Sequence, residues 1–196
     1  MKKSHIEEQL LEATFQLISE KGYLGATTRE IAQKSGVTEL TLFRHFGSKE
    51  KLFEAVLKKY SFLPKLRELL PVIESLPYDR AMRVLGVRFF EALKERKSLV
   101  KIMLSEINIY PDKIRSVYAE FTDELIQTLA GYIKSLQKRG ILRQISAHIA
   151  ARAFLGVIFS YFLSEEIMAG RSIEKKEMGR MAKEFMDIFL KGTLDH

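Results

Sequence analysis

The chain has 196 residues, of which 46% are apolar and 29% charged, and it contains no cysteine. This composition is typical of a globular protein with a buried core, and it excludes disordered, collagen-like and disulfide-stapled chains. Without cysteine, disulfides, thiolate nucleophiles and cysteine zinc sites are also excluded. The net charge of +7 and a pI near 9.5 favour an anionic partner such as nucleic acid.

The beginning of the chain does not have the pattern of a secretory signal, because Glu7 and Glu8 lie where an apolar run would begin. The longest apolar stretch, 149–163, is shorter than the roughly 20 residues that span a bilayer. It also contains Arg152. We therefore expect a cytoplasmic protein without a membrane partner, in which this stretch forms a buried helix.

Apolar residues recur at helical spacing through most of the chain, which predicts an all-α fold. The first helix is expected to end at Gly22, and a later one to begin after Ser48 as its N-cap. Three prolines between residues 61 and 78 interrupt the pattern, so we place a boundary between domains 1–60 and 61–196. The second domain is predicted to contain helices at about 79–96, 98–108, 111–140, 146–169 and 174–192.

Residues 27–46, TTREIAQKSGVTELTLFRHF, have the pattern of a helix-turn-helix. Thr28 and Thr38 are candidate N-caps of two short helices over 28–35 and 38–45, and Gly36 allows the positive φ of a tight turn. Ordinary helical hairpins share this pattern. The contacts between the two helices are assigned to small and apolar residues, namely Ile31, Ala32, Val37 and Leu42.

The flanking segments favour DNA binding over an ordinary hairpin. The chain from about Ile6 to Leu57 includes Gly22 to Ala32 and, after the motif, Phe46-Gly47-Ser48-Lys49-Glu50-Lys51-Leu52. This segment resembles the DNA-binding domain of the tetracycline-repressor (TetR/AcrR) family. The resemblance implies an N-terminal three-helix helix-turn-helix DNA-binding domain followed by a helical ligand-binding and dimerisation domain. It also implies a homodimer that leaves a palindromic double-stranded DNA operator when a small molecule binds.

Carried over by position, the resemblance implies a set of DNA-binding residues. Thr28 and Lys49 correspond to phosphate contacts. Phe43 stands where the family usually has tyrosine, so a hydroxyl that commonly reaches a phosphate is absent. The groove-facing residues implied are Arg29, Glu39, Leu40, Thr41, Arg44 and His45, and Thr38 completes the set together with Phe43.

The helical pattern of the second short helix supports this placement. If Leu42 and Phe46 face inward, then the residues that project outward are Glu39, Leu40, Thr41 and Arg44. In a major groove, arginine can bind guanine in bidentate fashion, glutamate can accept from cytosine, and leucine can contact the methyl group of thymine. An exposed leucine beside an arginine is unusual on a merely solvated face.

The sequence contains no pattern typical of a catalytic or metal site. His45 adjoins no serine or cysteine nucleophile, and His5, His148 and His196 are isolated from one another. We therefore expect a protein that is not an enzyme and that uses no metal or cofactor.

Aromatic residues of the second domain are, by composition, more often core than pocket residues. The family resemblance favours a pocket for a small apolar effector between the helices. The candidate ligand-binding residues are Phe89, Met103, Tyr118, Phe121, Leu125, Phe159 and Tyr161.

Helix 146–169 is apolar nearly all round, which is more than one intramolecular face can use. We expect it to join helix 174–192 in an isologous four-helix contact between two protomers. The candidate dimer residues are Phe154, Ile158, Phe162, Phe185, Met186 and Phe189.

Two functions follow from the sequence. The first is a sequence-specific DNA-binding transcriptional regulator, a repressor released by a small apolar ligand. The alternative is an all-helical binding or adaptor protein with a basic surface.

Overall fold

The structure, a computed structural model, describes residues 2–193. Every regular element in this range is helical, which confirms the predicted all-α fold. The elements are α1 Lys2–Gly25, α2 Thr28–Lys34, α3 Glu39–Phe46, α4 Lys49–Tyr60, α5 Leu63–Ile73, α6 Tyr78–Glu95, α7 Lys97–Glu106, α8 Asp112–Lys138, α9 Ala147–Phe162, a π-helical turn Leu163–Met168 and α10 Lys175–Thr193.

Three of the predicted helix ends are confirmed and one shifts by a residue. Gly22 interrupts α1 with φ 78° and ψ 172°. Thr38 and Ser48 cap α3 and α4 with their side chains. The cap of α2 is Thr27 and not Thr28, because the Thr27 hydroxyl accepts the Glu30 N–H at 3.1 Å.

The proline-rich segment contains a helix that the sequence did not predict. Pro64 lies in the first turn of α5, where backbone N–H groups have no partner within the helix. Proline, which lacks an N–H, therefore costs no helical hydrogen bond at this position. Pro71 lies inside the same helix. Proline therefore does not prevent a short apolar helix here, whose Leu66 and Ile73 are buried.

The chain divides into two compact units. Unit 1 consists of residues 1–61 and 96–122, and unit 2 of residues 62–95 and 123–196. The sequence assigned 96–122 to the second domain, but α7 packs along α1 in unit 1. The core of unit 1 includes residues from both stretches, among them Leu10, Ile18, Phe53, Leu99, Tyr110 and Ile114.

In unit 2, α6 packs against α9 and α10. Gly86 of α6 lies close to α9, since a Cβ added there would be 3.5 Å from Ile158 Cδ1. At the end of α9, the buried Glu166 carboxylate accepts the Ile173 N–H at 2.7 Å and pairs with Lys94 at 3.1 Å. These bonds hold the π-helical turn and the loop after it against α6.

The segment Ala147–Met168 is long and apolar enough, by length and composition, to cross a bilayer. Phe154, Ile158 and Phe162 on this segment are nevertheless buried in the chain itself. Core helices of soluble proteins have the same length and composition. The segment is therefore weak evidence for a membrane span.

Candidate nucleic-acid interface

The turn between α2 and α3 fixes one side of α3 against the core. Gly36 adopts φ 68°, and the Val37 N–H donates to the Ala32 carbonyl at 3.0 Å. Ile31 and Leu42 are completely buried. Because α3 is only eight residues long, burying Leu42 determines which side chains point outward.

The exposed side of α3 consists of Glu39, Leu40, Phe43 and Arg44. Leu40 is 78% exposed and Phe43 42% exposed. The Arg44 side chain makes no hydrogen bond or ion pair with any residue between 2 and 193. This helix face therefore presents one unengaged guanidinium beside two apolar side chains.

Four of the predicted DNA-binding residues bind one another in two pairs. The Thr28 hydroxyl donates to the Glu39 carboxylate, which joins the first residues of α2 and α3. The Thr38 hydroxyl accepts the Thr41 N–H at 3.2 Å, and the two hydroxyls lie 3.0 Å apart. Hydrogen-bonding groups at Thr28, Thr41 and Glu39 are thus already partly satisfied within the protein.

His45 does not face outward, which corrects its assignment to the groove. Its Nδ1 lies 3.2 Å from Glu7 Oε1 on α1, and the histidine side chain is only 5% exposed. Position 45 follows the buried Leu42 by three residues and therefore lies on the core side of the helix. His45 holds α3 to α1.

Lys49, the other predicted phosphate contact, is held in place by Tyr23. Its ammonium donates to the Tyr23 carbonyl and lies 4.3 Å from the centre of the tyrosine ring. Burial lowers the pKa of Lys49, and the nearby carboxylates of Glu50, Glu106 and Glu30 oppose that shift. The hydrogen bond to the Tyr23 carbonyl uses one N–H of the ammonium, which leaves two N–H groups to donate to other acceptors.

The sequence analysis missed Tyr23 and Glu106. The Tyr23 N–H donates to Glu106 Oε2 at 2.8 Å, and the Tyr110 hydroxyl donates to the same oxygen at 3.0 Å. The glycine at position 22 indicates a break in the helix, after which the N–H of Tyr23 needs a partner outside the helix. No local pattern could identify Glu106 as that partner, because it lies 83 residues away in the chain.

The N-terminus of α2 is anchored by an ion pair. Lys21 Nζ lies 2.7 Å from Glu30 Oε1, and Glu30 Oε2 accepts the Thr27 N–H at 3.1 Å. The hydrogen bond from Lys21, followed by those from Thr27, lowers the pKa of Glu30 to about 2.

Comparison with known proteins assigns the chain to a protein family. The sequence profile of bacterial regulatory proteins of the tetR family matches residues 10–56. The profile of the AefR-like transcriptional repressor C-terminal domain matches residues 80–192. The HTH-type transcriptional regulator YvkB of Bacillus subtilis is 31% identical over 185 residues, which cover 94% of this chain and 95% of YvkB. The chain belongs to the TetR family.

Solved structures show the same fold. A TetR-family regulator from Mesorhizobium loti superposes with a TM-score of 0.77 at 22% identity, covering 100% of both chains. The regulator FadR from Bacillus subtilis, solved in complex with stearoyl-CoA, has a TM-score of 0.73 at 16% identity, covering 94% of this chain and 98% of FadR. Because the chain belongs to the TetR family, it is a DNA-binding transcriptional regulator and not an enzyme, which decides against the adaptor alternative.

The candidate ligand-binding residues of this TetR-family regulator are divided between the two units. Met103, Tyr118 and Phe121 pack against the core of unit 1, where Tyr118 lies 5.7 Å from the rings of Phe53 and Tyr110. The other four belong to unit 2, namely Phe89, Leu125, Phe159 and Tyr161.

Burial within the protomer corrects four of the six candidate dimer residues. Phe154, Ile158, Phe162 and Met186 are at most 1% exposed and belong to the protomer's own core. Phe185 and Phe189 are half-buried. The accessible side of α9 instead carries an open groove of about 510 Å³, lined by Ala153, Gly156, Val157, Ser160, Tyr161, Ser164 and Phe185.

Proposed function

We propose that this TetR-family regulator is a sequence-specific repressor of the cytoplasm. It binds a palindromic double-stranded operator as a homodimer and leaves it when a small apolar molecule binds. The observation that carries the DNA-binding part is the exposed Arg44 guanidinium, which has no partner between residues 2 and 193. A guanidinium presented on a helix-turn-helix suits bidentate binding to guanine.

DNA recognition is tested by enriching duplexes from a random-sequence pool and titrating the enriched and random duplexes at the same salt concentration. Arg44→Ala is expected to lose sequence preference, by about 1 to 3 kcal/mol at one base pair. Lys49→Ala is expected to weaken binding to all sequences alike and to lower the salt slope by about one. Equal weakening of specific and random binding in both variants would contradict the assigned orientation of α3.

The homodimer is proposed to form through α9 and α10, with the second protomer occupying the groove on α9. The small residues Ala153 and Gly156 allow close approach of a partner helix. The neighbouring Val157 is 44% exposed. Val157→Glu is expected to give monomers in sedimentation at micromolar concentration. Val72→Glu, at an exposed valine of α5, is the matched control and stays dimeric. A wild-type chain that sediments only as a monomer would refute the dimer.

The effector is proposed to be a predominantly apolar small molecule. FadR, which shares the fold, was solved with stearoyl-CoA, and an acyl chain is therefore the first class to test. Release requires that the ligand bind the DNA-incompetent arrangement more tightly, and a coupling of about 1 to 3 kcal/mol is usual.

A thermal-shift screen of fatty acids and acyl-CoA thioesters, followed by operator titration, tests this proposal. Compounds that raise the unfolding temperature should weaken operator affinity by roughly 5- to 150-fold. Compounds that stabilise the protein without changing operator affinity would contradict the switch.

A further inference from the structure

We infer that Lys113, in the first turn of α8, contacts a DNA phosphate next to the one that Lys49 contacts. This inference rests on the proposed operator binding, and it adds a DNA-binding residue outside the helix-turn-helix segment. The tetR family profile ends at residue 56, so neither the profile nor the sequence motif includes this lysine. A neighbouring phosphate is available, because each DNA strand carries one charge about every 3.4 Å of helix axis.

The first observation is that the residues just before α8 are bonded to the end of α1 and the start of α4. Tyr110 lies two residues before α8, and its hydroxyl donates to the same Glu106 oxygen that accepts the Tyr23 N–H. The Tyr23 carbonyl in turn accepts from the Lys49 ammonium. These hydrogen bonds bring the beginning of α8 to the residue that is the proposed phosphate contact of α4.

The second observation is the orientation of the first turns of α8. Ile114 is completely buried in the core of unit 1, and the Tyr118 ring lies 5.7 Å from the ring of Phe53 on α4. Lys113 directly precedes Ile114 and is exposed. Because side chains on a helix incline toward its N-terminus, Lys113 extends from the edge of the buried face toward the end of α8 that adjoins Lys49.

The third observation is that the charge of Lys113 acts on the start of α4. Hydrogen bonds from its own backbone N–H and from Ser48 lower the pKa of Glu50, the second residue of α4. The charges of Lys113 and Lys49 lower that pKa further, and burial opposes the shift. The two ammonium groups therefore lie close enough to one carboxylate to interact with it electrostatically.

The fourth observation is that Lys113 keeps its hydrogen-bond donors free. Its side chain makes no hydrogen bond or ion pair in the described part of the chain, residues 2–193. On the same turn, Asp112 and Arg115 pair with each other at 2.8 Å. An exposed lysine without a partner, beside a proposed phosphate contact, has the charge and the three donors that suit a second phosphate.

The test uses the full-length protein and a duplex enriched from a random-sequence pool. Each phosphate of the duplex is replaced in turn by an uncharged methylphosphonate. The wild-type protein is expected to lose affinity at every phosphate that it contacts. Lys113→Gln should become insensitive to replacement at one phosphate of each half-site, and Lys49→Ala at a neighbouring phosphate.

Salt titration measures the same contact independently. One lysine–phosphate contact contributes about 0.9 to the slope of log affinity against log salt concentration. Between about 50 and 200 mM salt, the affinity ratio of wild type to Lys113→Gln should therefore shrink by about 3.5-fold per protomer. Lys101→Gln removes the same charge from an exposed lysine of α7 that makes no hydrogen bond or ion pair among the described residues. This matched control should keep the wild-type slope, and unfolding temperatures check that the variants fold.

Glu50→Gln separates a phosphate contact from mere neutralisation of the Glu50 charge. If Lys113 only offsets that carboxylate, then Lys113→Gln will not weaken DNA binding further once Glu50 has been replaced. A loss of affinity that persists in the Glu50→Gln background supports the phosphate contact, and its disappearance there would overturn the inference.

The remaining outcomes also decide the inference. A salt slope and a methylphosphonate pattern that are unchanged in Lys113→Gln would overturn it while leaving operator binding intact. An equal fall of the slope in Lys101→Gln would overturn it as well, because net charge and not a contact would then be responsible. A protein that enriches no sequence at all would refute the proposed function itself.

Discussion

The Glu106 carboxylate accepts the backbone N–H of Tyr23 at 2.8 Å, while the carbonyl of the same tyrosine accepts from the Lys49 ammonium. A single residue of α1 thus connects α7 to the first residue of α4. Because the side chain of Lys49 is already held in one position, little conformational entropy remains to be lost when it meets a phosphate. Glu106 is therefore a positioning residue for this proposed contact.

Glu106→Ala is expected to lower the free energy of unfolding by about 1 to 3 kcal/mol, because the part-buried Tyr23 N–H loses its acceptor. It is also expected to weaken DNA binding, but not when Lys49 has already been replaced by alanine. Denaturant unfolding and DNA titration of the single and double variants measure both effects. Glu120→Ala, at an exposed residue of α8, is the control. Additive losses in DNA affinity would refute the positioning role.

Gly22→Ala tests the turn that brings Tyr23 to Glu106. The backbone at φ 78° and ψ 172° is open essentially only to glycine and costs other residues roughly 1 to 3 kcal/mol. The added Cβ would also lie 2.1 Å from Glu106 Oε1 and displace the carboxylate from Tyr23. Thermal unfolding should show a large loss of stability.

Gly131→Ala is the matched control for this substitution. A Cβ added at Gly131 in α8 meets nothing within 4 Å, so the variant should gain about 0.5 to 1 kcal/mol. If the two alanine variants were equally stable, the turn at Gly22 would not require glycine.

The stability of the α2 N-terminus should depend on pH through Glu30. The pKa of Glu30 is lowered from 4.5 to about 2 in the folded protein. The charged carboxylate therefore adds to the free energy of unfolding. This stabilisation is fully present above pH 4.5 and is lost as the pH falls toward 2. Glu30→Gln should therefore lower the unfolding temperature at pH 7, and the difference from wild type should shrink as the pH falls to 3.

Glu68→Gln provides the control for the pH series, because the Glu68 side chain is exposed and makes no hydrogen bond or ion pair within residues 2–193. Its unfolding temperature should follow that of the wild type at both pH values. A difference between Glu30→Gln and wild type that did not change with pH would refute the role of the Glu30 charge.

Local periodicity predicted the helices other than α5, and the caps Thr38 and Ser48, because these depend on residues a few positions apart. It could not show that α7 joins unit 1, since the contact of Glu106 with Tyr23 spans distant parts of the chain. Local periodicity also predicted the wrong side of α9 for the dimer contact, for a different reason. A helix that is apolar all round gives no signal of which side meets its own core, so the buried Phe154 was assigned to the dimer and the exposed Val157 was not.

Phe43→Tyr distinguishes a phosphate contact from a base contact at the outward face of α3. Phe43 is 42% exposed, so an added hydroxyl has access to solvent and to bound DNA. If that hydroxyl reaches a phosphate, affinity should rise by about 0.5 to 1.5 kcal/mol for enriched and random duplexes alike. The salt slope should stay unchanged, because a hydroxyl carries no charge and releases no additional counterion. Titration of both duplexes at several salt concentrations measures the two quantities. Weaker binding to the enriched duplex alone would instead mean that the hydroxyl is buried against a base edge without a partner, and would refute the phosphate contact.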